Sequence, residues 1–296
     1  MEEHNCIYVG SRGIQKSCDI IVNSIDALIN IDFTKIKDNT IIYVKPDFFK
    51  LFKEIVKTVL KNKIILVSGD SDYIIPLDFF ESNNDFLNFI DNPNIIHWFC
   101  QNCTEMGHLK ITKIPIGLDY HTMSRPNNLG WGDIKTPIDQ ENELIEVKKI
   151  GFLPFWERKP LCYSNFHFFI NSRFGNDRLD AIHNINKNLV YFEPMKLPRL
   201  ETWLKQTGYA FVICPHGNGL DTHRVYEALC LGCIPIVRQS NLDELFEGLP
   251  VLIVKKWNDV TESLLTDTMK HFKHQDLLYK KLTLKYWVDL IKGYRE

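Results

Sequence analysis

The sequence has 296 residues, of which 45% are hydrophobic and 24% are charged. This composition is typical of a folded globular protein and excludes a fibre, a disulfide-stapled mini-protein and a disordered tail. Lys and Arg number 35 against 37 Asp and Glu, which gives a net charge of -2. Because no strongly basic block stands out, nucleic acid is not expected as a partner.

The chain shows no pattern for membrane insertion or export. No stretch approaches the roughly 18 apolar residues that a membrane span needs, so no membrane span is expected. Residues 1–5 are acidic and polar and lack the basic and apolar regions of a secretory signal. The eight cysteines are then most simply reduced thiols. We therefore expect a cytoplasmic protein.

The first third of the chain alternates β-branched runs with helical patterns. A first strand is predicted at 6–9, before a glycine-containing turn and a second element at 19–22. Pro46 opens an amphipathic helix that continues to residue 60, and 84–91 forms a shorter helix. Further strands are predicted at 40–44, 63–68, 95–99 and 111–116. This order indicates a parallel sheet with ligands at the carboxyl ends of its strands.

The second half of the chain repeats this alternation after a change of composition. Residues from 122 to about 140 are rich in Pro, Asn, Gly and Asp, which is typical of a linker, and Thr136 and Pro137 then start a charged helix. Further strands are predicted at 161–170, 189–192, 210–214, 234–237 and 251–254. We predict a Rossmann-like domain at 1–121, a linker or excursion at 122–150, a second Rossmann-like domain at 151–276, and a C-terminal helix at 277–296 that packs back toward the first domain.

Residues 211–229 hold the most informative motif, a buried strand followed by a glycine-rich loop and a helix. The free N–H groups and the dipole at such a helix start favour an anion such as phosphate. Asp221 is positioned to cap the helix, and Arg224 in the first turn can grip a diphosphate with two nitrogens. Glu227, on the same helical face, can accept hydrogen bonds from two ribose hydroxyls. A plain ion pair between Arg224 and Glu227 beside a glycine turn explains the spacing equally well.

This block resembles the nucleotide-sugar-binding half of GT-B glycosyltransferases, in particular the exostosin-like group. In that group a Gly-Leu-Asp-x-x-Arg-x-x-Glu-Ala-Leu run precedes Gly-Cys-Ile-Pro-Ile-Val, Leu-Asp-x-Leu and Leu-Pro-Val. The matching segments here are 219–229, 232–237, 242–245 and 249–251. The resemblance implies an α/β fold of the GT-B type, in which two Rossmann-like domains with parallel sheets face a central cleft. The first domain would hold the acceptor and the second the nucleotide sugar.

The resemblance also implies roles for particular residues. Arg224 would contact the donor diphosphate and Glu227 the ribose. The complete set implied to bind the donor is Arg173, Arg178, His216, Gly217, Asn218, Gly219, Arg224 and Glu227. Arg173 and Arg178 would add positive charge over the leaving group, although Arg178 fits equally well as a solvated arginine at a helix start.

The implied activity is transfer of a sugar from a nucleotide diphosphate sugar, taken as a UDP-sugar, to a hydroxyl of a glycan or glycoprotein. The resemblance implies inversion and no metal or other cofactor, because arginines and a helix terminus neutralise the leaving diphosphate. An inverting transfer needs a general base, and Asp70 is the first candidate and Asp72 the second. Gly69, Asp119 and His121 are expected near the acceptor. Each carboxylate could equally be a solvated turn residue.

Other functions are open but less favoured. Residues 70–72 imitate the Asp-x-Asp metal motif of GT-A glycosyltransferases, yet the strongest motif lies in the C-terminal half, where a GT-A enzyme would not carry it. The pairs Cys100/Cys103 and Cys230/Cys233 have a zinc-site spacing, but Cys230 and Cys233 suit apolar packing positions. A Rossmann-like oxidoreductase is disfavoured because the glycine-rich loop comes late and lacks the usual glycine order. The main alternative is an inactive GT-B-like protein that binds a nucleotide or a glycan.

Overall fold

The computed structural model describes residues 2–127, 130–151 and 153–295. Five strands from its first half form one parallel sheet, hydrogen-bonded in the order β1-β2-β3-β4-β5. They are β1 (Ile20–Val22), β2 (Thr40–Val44), β3 (Ile64–Ser68), β4 (Ile95–Cys100) and β5 (Ile111–Lys113). The helices of this half are α1 (Ser11–Lys16), α2 (Ile25–Ile29), α3 (Phe49–Thr58) and α4 (Asn83–Ile90). All of β3 is buried, as an apolar central strand covered on both faces requires.

A second five-stranded parallel sheet follows, in the order β10-β9-β8-β6-β7. Its strands are β6 (Lys159–Ser164), β7 (Val190–Phe192), β8 (Tyr209–Ile213), β9 (Ile234–Arg238) and β10 (Leu252–Val254). The remaining helices are α5 (Pro137–Ile150), α6 (Gly175–Asn184), α7 (Arg199–Gln206), α8 (His223–Cys230), α9 (Glu262–Lys273) and α10 (Leu284–Gly293). The predicted α/β class with two parallel sheets is confirmed. None of the helices described here is long and apolar enough to cross a membrane.

Three local predictions were wrong. Residues 6–9 form only an isolated antiparallel bridge, between Tyr8 and Thr283, and no strand of either sheet, because the N–H groups of Ile7 and Tyr8 each donate to the Glu141 carboxylate at 2.8 Å. The strand predicted at 111–116 ends at Lys113, because further along the N–H of Ile116 donates to Asp221 at 2.8 Å. The strand predicted at 161–170 ends at Ser164 and gives way to a short 3-10 helix.

The two halves share a hydrophobic core as well as having one each. The shared core joins Phe99 and Ile116 of the first half to Val212 and Leu229 of the second, and it includes Trp287 of α10. Before α10, the N–H of Leu284 donates to the carbonyl of Ile7 at 2.9 Å. The C-terminal helix therefore packs against the N-terminal segment of the chain. The predicted domain boundaries themselves stay a prediction.

Candidate functional site

A cleft of about 210 Å³ lies between the two halves. Its walls include the loops that follow β3 and β5 in the first sheet and those that follow β6 and β8 in the second, and residues of α6, α7 and the start of α8 complete them. All of these loops leave the carboxyl ends of parallel strands. Ligands of open α/β sheets bind at that edge, so the cleft is the candidate functional site.

Two arginines, Arg178 and Arg224, line the second-half wall of the cleft. The Nε of Arg224 donates to Asn165 at 3.1 Å, and the Nε of Arg178 donates to the carbonyl of His216 at 3.0 Å. Another nitrogen of Arg178 donates to the carbonyl of Phe169. Burial and, secondarily, the charge of Arg224 lower the pKa of Arg178 to about 10. Within the described ranges neither guanidinium forms an ion pair, so the two favour an anion between them.

The glycine-rich loop makes room for these arginines. A Cβ added to Gly217 would lie 2.8 Å from Nη2 of Arg178, so a side chain there would displace the guanidinium. The Gly217 N–H donates to the carbonyl of Gly219 at 3.0 Å. Nδ1 of His216 lies 2.7 Å from the carbonyl of Leu220. His216 therefore holds the loop in place, Gly217 leaves room for Arg178, and Gly219 packs against Asn102, whose Nδ2 would lie 2.7 Å from an added Cβ.

The start of α8 also favours an anion in this part of the cleft. Its N-cap, Thr222, makes no capping hydrogen bond through its side chain, and the Thr222 hydroxyl finds no partner in the described chain. The prediction that Asp221 caps α8 was wrong. Its carboxylate accepts from the N–H of Ile116 at 2.8 Å, from the Tyr226 hydroxyl at 2.8 Å and from the N–H of Thr222 at 3.0 Å. The helix start is thus left uncapped beside Arg224, where a bound anion would satisfy its N–H groups.

Glu227 contacts a different arginine from the one that its spacing suggests. Its Oε1 lies 3.7 Å from Nε of Arg199, and Nη1 of the same arginine donates to the carbonyl of Asp119 at 2.6 Å. Among the described residues, no ion pair links Glu227 to Arg224. The plain ion pair that would also have explained the spacing of the motif therefore does not form. Arg199, nine-tenths buried, instead connects Glu227 to Asp119 across the cleft.

Asp119 is held as a carboxylate by its surroundings. Burial opposes its ionisation, but His223, Arg199 and His121, with a hydrogen bond from Thr122, outweigh burial and keep the pKa of Asp119 well below its usual range. Nδ1 of His121 lies 3.1 Å from Oδ1 of Asp119. Burial lowers the pKa of His121 to about 4, although Asp119 opposes the shift. Asp119 is therefore an electrostatic anchor and a poor proton acceptor.

The two predicted base candidates have different surroundings. Asp70 adopts a φ of 56° and forms an ion pair with Nε of Arg12 at 3.1 Å, and its N–H donates to Gln101 at 3.0 Å. Gly69 packs so closely on that glutamine that an added Cβ would lie 2.8 Å from its Oε1. Asp72 is solvent-accessible and lines the main cleft and the pocket beside it. Desolvation by the surrounding protein raises the pKa of Asp72, and the charge of His223 and a hydrogen bond with Asn218 oppose this rise.

Arg173 forms an ion pair with the first half of the chain. Its two terminal nitrogens donate to the Asp78 carboxylate at 2.7 and 3.0 Å. Its N–H donates to Oδ1 of Asn218 at 3.4 Å. The structure thus brings Arg178, Gly217, Asn218, Gly219, Arg224, Glu227, Asp72 and Asp119 into one cleft. It places Arg173 and Asp70 in the neighbouring pocket.

Several cleft residues carried no sequence signal. Arg199, Trp131 and Asn165 line the cleft, yet each lies far in sequence from the glycine-rich motif. His223 lies inside that motif, where a histidine next to the arginine could have been singled out.

No group of three or more His, Cys, Asp or Glu side chains in the described part is arranged to hold a metal ion. All eight cysteines are unpaired.

Comparison with known proteins gives only distant similarity. No protein-family model and no curated protein matches the chain. The N-terminal domain of trehalose-6-phosphate phosphatase from Candida albicans is 13% identical, with a TM-score of 0.41 over 92% of this chain and 75% of that chain. A structure described as trehalose-6-phosphate from E. coli bound with UDP-2-fluoro glucose is 9% identical, with a TM-score of 0.34 over 91% of this chain and 76% of that chain. Membership of the exostosin-like group stays a prediction.

Proposed function

We propose that this protein is a GT-B-type glycosyltransferase that transfers a sugar from a UDP-sugar to a hydroxyl of a glycan or glycoprotein acceptor. The observation that carries the proposal is the pair of guanidiniums of Arg178 and Arg224 beside the uncapped start of α8. This arrangement suits two linked phosphates. It lies in a cleft between two halves that can each hold one substrate.

The remaining cleft residues fit the parts of such a donor. Glu227, one turn after Arg224, is placed to accept hydrogen bonds from the ribose. The sugar then extends toward Asp72 and Asp119, and the acceptor approaches through the pocket that Asp72 shares with the cleft. As the bond to the sugar breaks, negative charge develops on the diphosphate, and the guanidiniums and the helix start stabilise it. They supply the charge that a metal ion supplies in other transferases, and we propose an inverting, metal-independent transfer.

A second candidate is a binding protein of the same fold that holds a nucleotide or glycan without turnover. The pairing of Asp70 with Arg12 favours it, because the first base candidate is then occupied by an internal cation. Release of free sugar from a UDP-sugar by the purified protein would separate the two functions, since a pure binding protein shows nucleotide affinity and no hydrolysis.

Calorimetric titration with UDP tests the donor site. Arg224→Ala should weaken UDP binding about 10- to 100-fold, because a hydrogen bond to a charged group contributes about 1.5–3 kcal/mol. Arg173→Ala should weaken it less, since that guanidinium is committed to Asp78. The control is Arg295→Ala, which removes a surface ion pair with Asp19 and should leave the affinity unchanged. Equal UDP affinity in wild type and Arg224→Ala would contradict the assignment.

A further inference from the structure

His223 is the first residue of α8, and it lines the cleft next to Arg224. Its Nδ1 lies 2.7 Å from the carbonyl oxygen of Gly117, in the loop that follows β5 of the other half. A carbonyl oxygen only accepts hydrogen bonds, so Nδ1 must carry the ring proton. In the neutral imidazole, Nε2 is then left with its lone pair. The contact fixes both the tautomer and the orientation of the ring.

Both acidic and basic side chains surround this imidazole. Asp72 and Asp119 lie near it on the first half, and Asp221 lies two residues before it. Burial raises the pKa of Asp72 and raises that of Asp221 to about 6, and the charge of His223 opposes both rises. At Asp119, His223 and Arg199 outweigh burial and keep the pKa of the carboxyl low. Arg224 is the cationic neighbour, whereas His121, whose ring centre lies 5.9 Å away, is kept neutral near pH 7 because burial lowers its pKa to about 4. A bound diphosphate would offset Arg224.

The other candidate bases are less suited to the reaction. Asp70 is paired with Arg12, and Asp119 is held ionised by Arg199 and its neighbours. Asp72 faces solvent and no backbone contact fixes its carboxylate in the described chain. An imidazole exchanges protons near neutral pH, which suits general base catalysis, and the Gly117 contact orients this one.

We propose that His223 is the general base of the transfer, an inference that rests on the proposed function. Nε2 takes the proton of the acceptor hydroxyl while the oxygen of that hydroxyl forms a bond to the anomeric carbon. The bond from that carbon to the diphosphate oxygen breaks, and its electron pair leaves with the nucleotide diphosphate, which Arg178 and Arg224 hold. The imidazolium returns its proton to solvent after the products leave.

Hydrolysis of the donor tests this role, with water in place of the acceptor. The probes are UDP-glucose, UDP-galactose and UDP-N-acetylglucosamine. His223→Asn keeps an N–H donor for Gly117 but has no basic nitrogen, so kcat should fall about 10²- to 10⁴-fold, while the affinity for UDP stays within about twofold. The acidic limb of the pH–rate profile should also disappear.

The control is His274→Gln, which changes an exposed histidine at the end of α9. Unchanged turnover would overturn the proposal, as would a parallel loss of UDP affinity, because the imidazole would then be a diphosphate ligand.

A second measurement needs neither turnover nor a known donor. Nitrogen-15 NMR of the imidazole groups, recorded on the full chain at pH 8, reports which ring nitrogen carries the proton, and loss of one signal set in His223→Asn or His223→Gln assigns His223. We expect Nδ1 protonated and Nε2 unprotonated. The opposite tautomer would overturn the base assignment even if UDP binds as proposed. Conversely, unaltered UDP binding in Arg224→Ala would reject the donor site without changing the tautomer.

Discussion

The arginines around the cleft differ in what their charges face. Arg12, Arg173 and Arg199 each pair with an aspartate of the first half, at 3.1, 2.7 and 3.3 Å respectively. Arg178 and Arg224 form no ion pair within the described ranges, and burial, followed by the charge of Arg224, lowers the pKa of Arg178. Paired guanidiniums are already compensated, so only the last two offer uncompensated charge to a ligand. The presence or absence of an ion pair therefore distinguishes the arginines that stabilise the structure from those available to bind a ligand.

Glu3 is an acidic side chain in a nearly water-free place. It is 2% exposed, and its Oε1 has no hydrogen-bond partner in the described chain. Burial raises the pKa of Glu3 to about 7 from an ordinary value of 4.5, although Arg12 and Lys16 oppose the shift. The folded protein therefore binds a proton here that the unfolded chain has already lost between these two pH values.

This proton makes stability depend on pH with a definite sign. Because the folded pKa is the higher one, the contribution of Glu3 is most favourable below about pH 4.5 and is lost as pH rises through about 7. Glu3→Gln removes the ionisation, so the variant should gain up to about 3 kcal/mol over wild type at pH 8, and much less at pH 5. Urea unfolding at both pH values measures this, with Glu2→Gln as control. A stability difference that is the same at both pH values would contradict it.

The turn after β5 links three distant segments of the chain. Gly117 has a φ of 67°, and a Cβ added there would lie 2.1 Å from the carbonyl oxygen of Val9. The next N–H, of Leu118, donates to that same oxygen at 2.8 Å. The carbonyl of Gly117 accepts from His223. This turn thus joins the N-terminal segment to the first turn of α8, and it requires glycine for both its backbone angle and its close approach.

Gly117→Ala should therefore be strongly destabilising. The left-handed conformation costs a non-glycine residue about 1–2 kcal/mol, and the clash with Val9 forces the backbone to move as well, so we expect a total loss above about 2 kcal/mol. Gly107→Ala is a matched control, because Gly107 has a φ of 79° but nothing lies within 4 Å of its added Cβ. Urea unfolding of both variants measures the difference. Equal losses in the two would show that the contact with Val9 is unimportant.

At the scale of the whole molecule, the sequence predicted the strands more fully than the site. The apolar runs of β3 and β8 and the alternation with helices were enough for two parallel sheets, because buried parallel strands have that pattern. The glycine-rich motif also located Arg224 and Glu227. The partners of Arg173 and Asp70 lie 95 and 58 residues away in the chain, so no local pattern could reveal that both are occupied. The role of Gly117 was hidden for the same reason.

The shared core makes a prediction about unfolding. Because Phe99 and Ile116 pack in one cluster with Val212 and Leu229, neither half can open without exposing apolar surface of the other. We expect one calorimetric transition with equal calorimetric and van't Hoff enthalpies. Lys113, which is buried and donates to the carbonyl of Asn241 at 2.5 Å, connects the halves. Lys113→Met should lower stability by about 1–3 kcal/mol and keep the single transition. Two resolved transitions in wild type would instead show that each half unfolds on its own core.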